Sequence, residues 1–120
     1  MGKIETFRDV LVWQKAHQFV LQVYQATKNF PHEELYGLTS QLRRSVVSVA
    51  SNIVEGFKRK GVKDSRQFYN IAQASLEEAR YQLLLARDLL YIADDMYAQL
   101  EKWASEVSRM LAGWMHSRSE

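Results

Sequence analysis

The sequence predicts an all-α protein, an up-down-up-down four-helix bundle, on three observations. Apolar residues recur at alternating steps of four and three through four separate stretches. A single proline, Pro31, and five glycines leave few places for the chain to turn. No stretch alternates apolar and polar residues as a half-buried strand would. At 120 residues the chain is one domain, 1–120, with room for a real core but not for two.

The first helix, over about 9–29, is carried by Val12, Ala16, Phe19, Val23, Ala26 and Phe30, with Gln14, Gln18, Gln22 and Gln25 on the wet side. Pro31 stops it. A connection over 32–37 leads to a second helix at 38–57, with Val46, Ala50, Ile53 and Phe57 on one face. Gly56 and Gly61 bracket a basic loop. Asp64 and Gln67 have capping-box spacing for a third helix over 65–93. Its seam alternates small and large residues: Phe68, Ala72, Leu76, Ala79, Leu83, Ala86, Leu90 and Ala93. Asp94 and Asp95 suit the positive end of a fourth helix over 95–115. Met96, Leu100, Trp103, Val107, Met110 and Trp114 give its periodicity, and 116–120 form a frayed tail.

The second helix carries an unusual second stripe. Gln41, Ser45, Ser48, Asn52 and Glu55 are polar but mostly short, where an open face would carry Lys, Glu and Arg. Such a helix is expected to touch protein on two sides. Ser48, Asn52 and Glu55 form a structural polar stripe in this reading, bonded to Ser75 and Glu78 of the third helix or to their copies in a neighbour. The wide apolar arcs of the first three helices point to a homo-oligomer.

Net charge is only +2, yet it is uneven. Residues 41–70 hold seven Lys/Arg against two Asp/Glu, whereas 71–120 hold five against eight. Arg43, Arg44, Lys58, Arg59, Lys60, Lys63 and Arg66 are therefore the candidate nucleic-acid-binding residues, able to meet phosphate. The first two lie about 14 residues from the rest, roughly 20 Å along a helix. The plain alternative is a solvated loop or a charge match between subunits.

Catalytic and metal chemistry find no footing. No Glu is followed three residues later by His, so the di-iron pattern of helical bundles is missing. His17, His32 and His116 fall on separate segments, and there is no cysteine. Phosphate-loop and nucleophile-elbow motifs are absent as well. No catalytic residue, metal or cofactor is assigned. Trp13, Trp103 and Trp114 read as core or interface anchors. No run of about 18–20 apolar residues offers a membrane span, and no signal peptide opens the chain, so a cytoplasmic location is expected.

Several strings then coincide: Phe-Arg-Asp-Val-Leu-Val-Trp-Gln-Lys-Ala at 7–16, Phe-Pro-His-Glu-Glu-Leu-Tyr-Gly-Leu at 30–38, Gln-Leu-Arg-Arg-Ser at 41–45, Ser-Asn-Ile-Val-Glu-Gly at 51–56 and Ala-Ser-Leu-Glu-Glu at 74–78. In this order and spacing they resemble the four-helix bundle proteins encoded in intervening sequences of bacterial 23S rRNA genes. The resemblance covers about 7–112, with Val54 where that family has Ala. It implies a ring-like homopentamer, and kinship with accessory proteins of diversity-generating retroelements that bind nucleic acid and a reverse transcriptase. It implies no enzyme. The sequence reading is thus a non-enzymatic oligomer that binds RNA or DNA, RNA foremost. The alternative is a structural or protein-interaction scaffold without direct nucleic-acid binding.

Overall fold

The computed structural model describes residues 2–118. Four helices, α1 (Leu11–Thr27), α2 (Leu38–Lys58), α3 (Val62–Asp88) and α4 (Asp94–Ser117), form the bundle, with 3-10 turns at Phe7–Asp9 and His32–Glu34. Successive helices run antiparallel, and α4 closes the ring against α1. The cross-links fix the register: Ser48 meets Ser75, Arg80 meets Glu101, and Lys15 meets Glu106. One end of the bundle therefore gathers the starts of α1 and α3 with the finishes of α2 and α4. The opposite end holds the other four termini.

The core is aliphatic. Phe19, Leu42, Ile53, Leu76, Leu83, Leu100 and Leu111 are fully buried and come from all four helices. In α4 the buried stripe is Leu100, Ala104, Val107 and Leu111, one position round from the seam that periodicity suggests. Trp103, Met110 and Trp114 flank it and pack on the core from the side. Small Ala104 lets α4 settle inward, while the bulky rings fit at its edges.

The helix pair α2–α3 approaches most closely, through Ser45, Ser48, Gly56, Ala72, Ser75 and Ala79. Ser48 Oγ and Ser75 Oγ lie 2.8 Å apart, and Asn52 Nδ2 donates to the Ser48 carbonyl and hydroxyl at 2.8 and 3.0 Å. Short polar chains thus satisfy one another where long ones would hold the helices apart. Gly56 sits inside α2 rather than opening the loop, and a Cβ there would run into the Tyr69 ring.

The helix ends differ from the sequence reading for local reasons. Phe7–Asp9 forms a separate turn capped by Thr6 and Asp9, so α1 starts two residues late. It finishes at Thr27, whose hydroxyl bonds back to the Val23 and Tyr24 carbonyls. Phe30, just before Pro31, folds back into the core, its N–H donating to the Thr27 carbonyl at 3.1 Å. Helix α3 begins at Val62 with Gly61 as N-cap, and no capping box forms from Asp64 and Gln67. Ser65 instead donates to the Gly56 carbonyl at 2.8 Å, covering the end of α2.

The largest difference is the finish of α3 at Asp88, five residues before the expected Ala93. Leu90 has φ 65°, the Leu90 N–H bonds Arg87 O, and the Tyr91 N–H bonds Ala86 O at 2.8 Å. That pattern is a Schellman stop, normally made with glycine. A leucine in the left-handed region costs about 1–2 kcal/mol. Leu90 is 88% exposed, so its own packing does not offset the strain. A neighbouring bond does hold the turn: Tyr91 Oη donates to Glu34 Oε2 at 2.8 Å, while Glu34 Oε1 caps the Leu38 N–H. Those contacts, the Leu38 N–H first, keep the Glu34 carboxyl below the ordinary glutamate range.

The α2–α3 contact generates a direct test. Gly56→Ala should lower stability by about 1–2 kcal/mol, because the buried Tyr69 ring must move to admit the methyl. That loss is net of the roughly 0.5–1 kcal/mol that Ala gains over Gly within a helix. A urea-denaturation midpoint equal to the parent's would show that the ring can step aside.

Candidate nucleic-acid interface

The seven predicted basic residues separate into three situations. Arg43 is built into the bundle. Its Nε donates to Thr27 Oγ1 at 2.8 Å, and its guanidinium lies 4.7 Å over the Tyr24 ring, tying α2 to α1. Arg44 is exposed and lines a polar groove between α2 and α3 with Ser45, Ser75, Glu78 and Gln82. The other five, Lys58, Arg59, Lys60, Lys63 and Arg66, are exposed together where α2 passes into α3.

Within that group the residues are not equivalent. Arg59 pairs with Glu55 at 3.1 Å and lies 4.5 Å over the Phe68 ring. An exposed pair four residues apart is worth only about 0.3–0.5 kcal/mol, so it yields readily to a stronger anion. Lys58, Lys60, Lys63 and Arg66 make no ion pair among the described residues. The connection that carries them is short: α2 ends at Lys58, Arg59 and Gly61 are extended, and α3 begins at Val62.

The fold adds cations that linear clustering hides. The opening segment and the last turns of α4 come to the same end of the bundle. Residues Ile4, Asp9, Leu11, Met110, Gly113 and Trp114 line one shallow cavity, so the two segments meet there. Burial pushes the Tyr69 phenol up, and the nearby Trp114 indole and Arg118 guanidinium pull against that rise. Trp114 Nε1 lies beside the phenol without completing a hydrogen bond. Lys3, Arg8, Arg109 and Arg118 therefore join the predicted five. Residues 2–11, 55–70 and 109–118 hold nine Lys/Arg and four Asp/Glu. The opposite end, 24–44 with 82–99, holds four against five. The bundle is polarised along its 45 Å axis.

The polar stripe divides in the same way. Ser48 and Asn52 are partly buried and bonded, as described above. Glu55 is exposed and turned to Arg59; it reaches neither Ser75 nor Glu78 within the chain, and Glu78 is itself exposed. Gly56 takes the contact with α3 at this level, against Tyr69, and Glu55 beside it faces outward.

Among the described residues no group of His, Cys, Asp and Glu could hold a metal ion. His17 stacks on Trp13 with ring centroids 5.1 Å apart. No helix is long and apolar enough to cross a membrane.

These features define a four-helix bundle with one basic end, joined by short connections and built without a metal-binding cluster among the described residues. The sequence pattern agrees: the family model described as 23S rRNA-intervening sequence protein matches residues 8–113, and the chain belongs to that family. A solved structure from Bacteroides thetaiotaomicron, described as a protein of unknown function from the S23 ribosomal protein family, has the same fold. It is 21% identical with a TM-score of 0.81, covering 88% of this chain and 96% of the other. A search of curated proteins found no match.

Arg43 offers a check on the division of labour. Arg43→Gln should cost about 1 kcal/mol of stability through the lost Thr27 bond and ring contact. Arg44→Gln should leave the thermal midpoint within error, since its side chain is exposed and unpaired. Equal melting of the two variants would contradict the structural assignment of Arg43.

Proposed function

We propose that the chain is a non-enzymatic, oligomeric bundle protein that binds nucleic acid, RNA foremost, through its basic end. The observation that carries this reading is the cluster of Lys58, Lys60, Lys63 and Arg66, exposed and unpaired within nine residues. Four like charges held together, with Asp64 alone among them and no ion pair formed, raise the local potential, and a polyanion relieves it by releasing its own condensed ions. The family's description, which places it in 23S rRNA intervening sequences, supports RNA over DNA. The scaffold alternative keeps the same surface but gives it an acidic protein partner. The kinship with retroelement accessory proteins that the sequence resemblance implies makes a reverse transcriptase a candidate partner.

Oligomerisation is supported by apolar side chains left uncovered along the bundle. Leu11, Tyr81 and Leu90 are 68%, 62% and 88% exposed, with Leu21, Val47 and Ile71 adding to them. Copies of the chain, five in the ring the family resemblance implies, would cover part of this surface. They would also multiply the basic end around one axis. Light scattering should find a particle several times the 14.0 kDa chain mass at micromolar concentration. A monomer would remove assembly from the proposal.

Binding is tested with a structured RNA across a salt series. Replacing Lys58, Lys60, Lys63 and Arg66 together by Gln should flatten the log–log salt slope by about three to four, near one per neutralised contact. Helicity and particle size should be unchanged, because exposed, unpaired side chains seldom move stability by more than about 0.5 kcal/mol. RNA affinity equal to the parent's, or no binding by the parent at low salt, would favour the scaffold.

A further inference from the structure

Resting on the nucleic-acid reading of the basic end, we infer that its ligand is the phosphate backbone of a double helix rather than a single strand. Proteins that hold single strands pair a positive groove with open ring faces, and each stacked base contributes about 1–3 kcal/mol. The basic end has aromatic residues in number, but among the described residues none of them is exposed: Phe7, Trp13, Phe57, Phe68 and Trp114 are partly buried. Arg59 lies over Phe68 at 4.5 Å, Arg118 over Trp114 at 5.0 Å, and Arg8 over Phe7 at 6.0 Å. Trp13 is enclosed between Phe7, edge-on at 4.8 Å, and His17, stacked at 5.1 Å. Tyr69 is buried.

The exposed rings lie elsewhere. Tyr24 and Tyr36 belong to the opposite end, and Tyr81 is 19 residues along α3 from Val62, about 28 Å away. A strand held at the basic end cannot reach them without leaving the cations. Arg8, Arg59 and Arg118 thus serve two purposes: each adds charge, and each covers one face of a ring that is already partly buried.

What remains is charge on a blunt face, and that selects a duplex. A double helix presents one phosphate per about 1.7 Å of axis, far denser than a flexible strand. The end measures about 27 by 19 Å across the backbone, enough to lie along roughly eight base pairs at about 3.4 Å each. The α2–α3 connection that carries most of the charge is only Arg59–Gly61, too short to reach into a groove and read bases. Contacts therefore stop at phosphate and sugar, and binding is indifferent to sequence.

The test compares ligands of one length at one ionic strength: a 20-base-pair RNA duplex, the same duplex as DNA, and an unstructured uridine 20-mer. The full-length protein and its Lys58, Lys60, Lys63, Arg66→Gln variant are both titrated. At least one duplex should bind ten or more times tighter than the single strand, with the variant losing affinity for it. Equal affinity for RNA and DNA duplexes would assign recognition to phosphates, and RNA alone to the A-form backbone; both support the inference. A ratio below tenfold, with binding still lost in the variant, overturns the duplex preference and leaves the basic end as a general nucleic-acid surface. No binding of any ligand overturns the inference together with the functional reading beneath it.

Discussion

The close packing of α2 against α3 sets the geometry on which everything else rests. A hydroxyl pair at Ser48 and Ser75, a missing Cβ at Gly56 and alanines at 72 and 79 bring two long helices together over most of their length. The contact is polar where it is open and apolar where it is closed. Hydroxyls suit this place because each is short and the two bond each other, with Asn52 donating to Ser48 as well. A valine at either position would fill the same space but strand the partner's hydroxyl, and a lysine would push the helices apart. The shared axis of α2 and α3 then forces their connection to be short. Five cations in nine residues consequently land on a turn with no room to spread. The charge cluster is a result of the packing as much as of the composition.

That coupling also explains the polarity of the bundle. In an up-down arrangement alternate helix termini collect at the same end, so residues distant in sequence become neighbours there. Basic residues from the opening segment, the α2–α3 turn and the last turns of α4 add together, while Glu33, Glu34, Asp88, Asp94 and Asp95 gather at the other end. Part of this distribution is helix electrostatics. Asp94 and Asp95 sit in the first turn of α4 and His116 in the last turn, each matched to the local sign of the helix dipole. The α3 start is mixed: Asp64 in its first turn suits the dipole, whereas Lys63 beside it opposes it.

Much of this was legible before the structure. Val12, Ala16, Phe19 and Val23 announce α1 because an amphipathic helix with one buried side has no freedom in its period. The α2 stripe announced a close neighbour, since short polar residues have little reason to dominate an open face. Helix ends were less readable. Thr6 with Asp9 carries a capping signal, but it caps a single 3-10 turn rather than α1. Leu90 gives no signal at all: the stop of α3 is made by a residue that normally continues a helix, and the apolar period runs past it unbroken. In α4 the large Trp103 and Trp114 outweighed Ala104 and Leu111 in the pattern, although the smaller residues are the buried ones. Periodicity weighs hydrophobicity, whereas burial also depends on what fits.

The basic site shows the same limit from the other side. Counting charge along the chain placed Arg43 and Arg59 in one category, yet one is locked into the α1–α2 contact and the other leans on Phe68 within reach of solvent. Counting also missed Arg8 and Arg118, which have ordinary surroundings in sequence and become part of a cluster only when the bundle closes. Three arginines of this end, Arg8, Arg59 and Arg118, lie against rings, while Arg66, Arg109 and Lys58, Lys60 and Lys63 do not. A planar guanidinium can rest on an aromatic face and still present its edge to an anion; an ammonium on a flexible stem is better left free to follow a phosphate. Arg8, Arg59 and Arg118 each cover part of the apolar surface at the bundle end, whereas Lys58, Lys60 and Lys63 carry exposed charge on flexible stems.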